Sequence, residues 1–280
     1  MAMLHVDGTG DASDARTPPN TSPAAAGALP LLTLRDVTMR FQSGGRSLLV
    51  LDGVNLRLDT GEFVALVGPS GCGKSTLLSI VAGLQAPTSG AISLYDDPSA
   101  LRLGRIGYMP QRDLLLPWRN ALDNAIASLE VRGTPRAEAR QRAHALFAAF
   151  GLSGFERAYP SQLSGGMRQR VAFVRTALTA GDLLLLDEPF GALDALTRAS
   201  LQRWLVEIWG SLSKTCLLVT HDVDEALLLA DRIYVMTPRP GRMGLERAVP
   251  LPRPRLPEML AQPEALALKA ELLAALMEGA

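Results

Sequence analysis

A chain of 280 residues exceeds one average domain, yet a single α/β domain with an inserted helical lobe accounts for it, so core size is no constraint. Lys+Arg and Asp+Glu balance at 28 each with no long basic tract, which argues against a duplex-binding protein and leaves nucleic acid outside the expected partners. No run reaches the roughly 18 apolar residues of a membrane span, and the two cysteines, Cys72 and Cys216, offer neither a disulfide framework nor metal-ligand spacing and are expected as reduced thiols.

Residues 1–30 mix Asp, Gly, Thr, Pro and Ala without a basic start and an apolar block, so a disordered extension is expected there, not a secretory signal. Leu31–Phe41 reads as a strand, Gln42-Ser43-Gly44-Gly45 as a turn and Leu48–Leu58 as a second strand, together an antiparallel flap. Glu62–Val67 is a short apolar run suited to a buried parallel strand, and a helix begins near Leu77. Pro87-Thr88-Ser89-Gly90 turns into a strand at Ala91–Tyr95, and another strand, Arg105–Met109, stops at Pro110 just before Gln111. Between 112 and 163 the composition becomes helical. The spacing of Leu122, Ala125, Ile126 and Leu129 predicts one helix over Asn120–Val131, and Thr134-Pro135 predicts the cap and first turn of another ending at Gly151. A helix from Ser164 follows, then apolar strands at Leu183–Leu186, Leu217–Thr220 and Ile233–Met236 alternating with helices, which implies a largely parallel sheet. Beyond Pro250 a proline-rich link leads to an Ala/Leu-rich helix over about 265–278.

Chemistry concentrates in two of these places. Gly68-Pro69-Ser70-Gly71-Cys72-Gly73-Lys74-Ser75-Thr76 is a complete G-x-x-x-x-G-K-S phosphate loop between a strand and a helix. Its glycines let backbone N–H groups converge on an anion, the helix adds its positive end, Lys74 adds a charge for the β- and γ-phosphates, and Ser75 offers a hydroxyl to Mg²⁺. The second place is Leu183-Leu184-Leu185-Leu186-Asp187-Glu188, an apolar strand ending in two acids, where an open parallel sheet binds ligands. Alternation lets the acids divide the work: Asp187 toward Mg²⁺ through its water shell, Glu188 as general base toward the attacking water.

Leu163-Ser164-Gly165-Gly166-Met167 resembles the signature motif of the ATP-binding cassette family, the ATPase subunits of ABC transporters. The resemblance covers residues 31 to about 245. It implies an α/β P-loop NTPase core, a mostly parallel sheet flanked by helices, with an antiparallel β flap and an all-helical subdomain inserted at about 112–165. The corresponding division is an extension at 1–30, an ATPase domain at 31–250 and a link with a C-terminal helix at 251–280. It also implies a head-to-tail homodimer in which each ATP lies between the phosphate loop of one subunit and the Ser164-Gly165-Gly166 turn of the other. Residue by residue, Phe41 falls where an aromatic stacks on adenine, and Gln111 where a glutamine reaches Mg²⁺ and the attacking water. Asp194 falls in a loop crossing the dimer interface, and His221 where a histidine contacts the γ-phosphate. Ser75, Gln111 and Asp187 are thus the expected Mg²⁺ residues, and Glu188, His221 and Gln111 the expected catalytic ones. Met167 and Phe41 depart from the commoner glutamine and tyrosine without removing a charged or nucleophilic group.

A lone cassette with a helical insertion resembles the peripheral subunit of a bacterial importer, on the cytoplasmic face of the plasma membrane, beneath integral permease subunits and, indirectly, a solute-binding protein. Leu114, Leu115, Leu116 and Trp118 are expected as its exposed apolar docking patch. Leu115-Leu116-Pro117-Trp118 and the stretch Asp187–Arg198 look like the nitrate, sulfonate and taurine importers, a group that includes transporters of a thiamine pyrimidine precursor. The alternative, a cassette ATPase of DNA repair or translation, would need a coiled-coil insertion, a basic face or a second cassette.

Overall fold

The computed structural model describes residues 30–179, 181–191 and 193–278. The expected disordered extension therefore lies, apart from Pro30, outside the described residues. β1 (Pro30–Ser43) and β2 (Arg46–Asp59) pair antiparallel, and β4 (Ser89–Leu94) joins the free edge of β1 to give a three-stranded sheet in the order β2-β1-β4. Gly44 and Gly45 hold φ of +55° and +78° between β1 and β2, the left-handed pair that a two-residue hairpin requires.

The second sheet runs β5 (Gly107–Met109), β6 (Leu183–Asp187), β7 (Thr215–Thr220), β3 (Phe63–Val67), β8 (Arg232–Met236) and β9 (Met243–Ala248). The first five are mutually parallel and β9 is antiparallel to β8. Every residue of β3, β6 and β7 is buried, which is why these strands read as unbroken apolar runs: helices or a second sheet cover both faces. Successive side chains take opposite faces. Phe63, Ala65, Val67, Leu184, Leu186 and Leu218 enter one core with the helical lobe. Val64, Leu66, Leu185, Leu217 and Val219 enter another with β1, β2 and α1 (Lys74–Val81). At about 1.5–3 kcal/mol for each fully buried large apolar side chain, these two faces dominate the stability of the core. β9 went unanticipated because it is a polar edge strand, Met-Gly-Leu-Glu-Arg-Ala, with no buried residue.

The remaining helices are α2 (Ala121–Ala125), α3 (Ala127–Val131), α4 (Arg136–Ala149), α5 (Gly165–Ala177), α6 (Ala195–Leu212), α7 (Val223–Leu229) and α8 (Pro263–Glu278). Two expectations are corrected within the lobe. The single helix over 120–131 is broken at Ile126 (φ −84°, ψ −1°). Asn124 ties α2 to the carbonyls of Leu116, Arg119 and Asn120, while Ser128 ties α3 to the Arg175 carbonyl, and two short helices meet both demands. α4 starts without a side-chain cap, because Pro135 and not Thr134 holds the N-cap position. It ends at Ala149, not Gly151, because Gly151 at φ +60° lets Leu152 N–H reach the Phe147 carbonyl (2.8 Å) and Gly151 N–H the Ala148 carbonyl (3.1 Å), a Schellman closure.

Candidate active site

The phosphate loop leaves the C-terminal end of β3 and enters α1, and β6 and β7, which follow β3 in the sheet, bring their own ends alongside it. Gly73 takes φ +116°, and a Cβ there would stand 2.7 Å from Leu51 Cδ2, so β2 backs the loop closely enough that only glycine fits. Lys74 is buried, donating to the carbonyls of Gly68 (2.7 Å) and Pro69 (3.0 Å). Ser75 Oγ donates to Asp187 Oδ1 at 3.1 Å across 112 residues of sequence. Burial pushes the Asp187 carboxyl above its ordinary range, with the Glu188 charge in the same direction, while the Ser75 bond pulls it back.

Glu188 stands at φ +45°, its N–H donating to the Val219 carbonyl at 2.9 Å. That backbone turns its carboxylate off the strand axis. Gln111 Nε2 donates to Glu188 Oε2 at 3.3 Å, and His221 Nδ1 lies 3.3 Å from the same oxygen. Gln111 follows β5 and His221 follows β7, the flanking strands on either side of β6, so three strand ends deliver one cluster. Lys74, Ser75, Gln111, Asp187, Glu188 and His221 are thereby brought together.

Other expected residues stand apart from this cluster. Ser164 Oγ accepts from Met167 N–H (3.2 Å) and caps α5, and Asp194 Oδ1 accepts from Thr197 N–H (3.0 Å) and caps α6. A Cβ on Gly166 would stand 2.6 Å from Thr197 Cγ2, so the Ser164-Gly165-Gly166 turn and the start of α6 form one packed surface that requires that glycine. Phe41 is half-buried on β1 opposite Leu48 and packs against the core that also holds Cys72. Both cysteines are free and buried, and burial pushes both thiols up. The apolar patch is smaller than expected: Leu114 and Trp118 are 59% and 71% exposed, but Leu115 joins the core and Leu116 is half-buried, its N–H held by Asn124.

Two residues near the loop escaped the sequence reading. Tyr108 donates its hydroxyl to Asp187 Oδ2 at 3.4 Å, and only alternation along β5 before Gln111 hinted at it. Arg239 donates to the Gly71 carbonyl, and nothing in the Arg-Pro-Gly turn around it signalled a contact with residues 168 positions earlier.

Residues 51–191 match the family model described as ABC transporter. The chain is 44% identical to the formylaminopyrimidine import ATP-binding protein of Halalkalibacterium halodurans, over 79% of this chain and 85% of that one. It is 40% identical to the taurine import ATP-binding protein of Chromobacterium violaceum, over 87% and 94%. Among solved structures it resembles a dimeric ATP-binding cassette in a post-hydrolysis state bound to ADP and phosphate. The TM-score there is 0.68 at 32% identity, covering 78% of this chain and 98% of that one.

Proposed function

The chain belongs to the ABC transporter family as an ATP-hydrolysing subunit that acts in a dimer and is related to the sulfonate, taurine and nitrate importers, and from that premise we propose how it works and what it serves. It is the peripheral subunit of an importer on the cytoplasmic face of the plasma membrane. The cargo class is a small anion such as nitrate, a sulfonate or taurine, or a thiamine pyrimidine precursor, selected by a solute-binding protein and the permease. The relatives' import names support this class. Among the described residues no helix is long and apolar enough to cross a membrane, so the spanning part is assigned to separate permease subunits.

ATP lies on residues 68–76 with adenine against Phe41, and the partner's copy of the Ser164-Gly165-Gly166 turn closes over the γ-phosphate, with Asp194 at the interface. Ser75, Asp187 and Gln111 offer hydroxyl, carboxylate and amide oxygens, a hard donor set that fits Mg²⁺. No cluster of three or more His, Cys, Asp or Glu among the described residues would hold a metal alone, so the ion would arrive with the nucleotide. Held by these residues, Mg²⁺ would supply neutralisation of the phosphate charge. Gln111 and His221 orient the attacking water and the γ-phosphate, Glu188 accepts the water's proton, and the water oxygen bonds to the γ-phosphorus as its bond to the bridging oxygen breaks, releasing ADP and phosphate. The observation that carries this reading is the convergence of Gln111 Nε2 and His221 Nδ1 on Glu188 Oε2, beside the Ser75–Asp187 contact.

Leu114 and Trp118, exposed on the lobe just after Gln111, face the permease and transmit closure to it. Purification from solubilised membranes tests the assignment. A multi-span permease should co-purify, and its loss on Trp118→Glu would locate the contact. Recovery of the chain with no integral membrane partner would overturn the transport reading.

A further inference from the structure

The connection between β8 and β9, residues 237–242, lies against the outside of the phosphate loop. Gly241 N–H donates to the Val50 carbonyl (2.9 Å), the Gly241 carbonyl accepts from Asp52 N–H (3.0 Å), and Arg242 Nε donates to Asp52 Oδ2 (2.9 Å), so the connection is pinned to β2. A Cβ on Gly241 would stand 2.4 Å from the Cys72 carbonyl oxygen, which places this backbone in direct contact with the loop. From that platform Arg239 donates to the Gly71 carbonyl through Nη2 (2.8 Å) and Nε (3.2 Å).

The Gly71 carbonyl and the Cys72 N–H belong to one rigid peptide plane. Arg239 holds the oxygen edge, and the Pro69 carbonyl accepts from the Cys72 N–H at 3.4 Å on the other. Gly71 (φ +77°) and Gly73 (φ +116°) flank this peptide in conformations that glycine enters and leaves at little cost, so the orientation of the 71–72 peptide depends on contacts to its edges. A guanidinium, with several donors in a fixed fork, suits the restraint.

We propose that Arg239 is a positioning residue for the nucleotide: anchored by the β8–β9 connection, it holds the 71–72 peptide so that the loop is formed before ATP arrives. Without it the binding-competent fraction of the loop falls, and apparent affinity falls by the same factor. Among the described residues Arg239 makes no hydrogen bond to Glu188, Gln111 or His221, so the chemistry there is untouched. This rests on residues 68–76 being the nucleotide site.

Steady-state hydrolysis and direct MgATP titration of the full chain decide it. Arg239→Ala should raise KM and Kd for MgATP about ten-fold, the size of a lost charge-assisted hydrogen bond, with kcat within about two-fold. Arg239→Lys, which retains a cationic donor but not the fork, should recover part of the loss. Arg242→Ala, which breaks the Asp52 contact but leaves both Gly241 backbone bonds to β2 and the Arg239 contact in place, should raise KM by no more than about two-fold. Affinity unchanged in Arg239→Ala, no recovery in Arg239→Lys, or an equal loss in Arg242→Ala overturns the proposal while leaving the nucleotide site standing. A wild-type chain that does not bind MgATP overturns both.

Discussion

Glu188, the base of the proposed mechanism, carries a backbone cost as well. A non-glycine residue at φ +45° costs about 1–2 kcal/mol, and the strain is sustained by the Glu188 N–H bond to Val219 and the Gly191 N–H bond to the Glu188 carbonyl (3.1 Å). In return the carboxylate faces Gln111 and His221 while neighbouring Asp187 faces Ser75. Glu188→Gln keeps the shape and the backbone but removes the base. It should bind ATP as before and lose about 10²–10⁴ in turnover, read as phosphate release; turnover within two-fold of wild type would remove Glu188 from that role. The sequence shows that these two acids end a buried strand. That the two acids take different partners is expected from strand alternation; that Glu188 meets Gln111 and His221 depends also on its left-handed turn and on where β7 runs, which Leu183–Glu188 alone does not show.

At the scale of elements, the helical lobe is held by charge as well as by its core. Asp123, on α2, receives Arg136 Nη2 at 2.8 Å on one oxygen and Arg140 Nη2 at 2.8 Å on the other, both from α4. Burial acts to raise the Asp123 carboxyl, but the two guanidiniums outweigh it and hold the carboxyl below the usual aspartate range. A depressed folded-state value means the contribution is full above the unfolded-state pKa near 4 and is lost as pH falls through the lower folded-state value. Because the arginines are 57% and 43% exposed, Asp123→Asn should cost only about 1 kcal/mol at pH 7. Denaturant midpoints of variant and wild type should converge as the pH drops below about 4, and a difference that persists at lower pH would exclude the ion pairs as its cause. Apolar spacing made the lobe legible as helical, with α4 and the buried face of 122–129 in the right places. The break at Ile126 was hidden because Asn124 and Ser128 find their partners outside the helix.

At the scale of the whole molecule, residues 68–76 cluster with Asp187, while Ser164 and Asp194, proposed to face the partner's nucleotide, cap α5 and α6 and, among the described residues, make no hydrogen bond to that cluster. In the proposed function a second copy completes the site. In the Glu188→Gln background, MgATP should produce a dimer by sedimentation, and adding Ser164→Arg should abolish it. Losing the Ser164 cap costs only about 1 kcal/mol, so the monomer should stay folded and still bind ATP. A dimer that persists would remove this turn from the partner's site. The order of residues was enough to determine the strand-loop-helix cradle for polyphosphate, the acidic strand end and the family, because each depends on spacing within a few residues and on the burial period of its own element. Only the tertiary structure decided that Gln111 and His221 share one oxygen of Glu188, that Gly166 makes room for Thr197, and that Arg239 reaches Gly71. Those contacts join residues from tens to more than 160 positions apart, and they exist only once the sheet order β5-β6-β7-β3-β8-β9 has set which strand ends lie side by side.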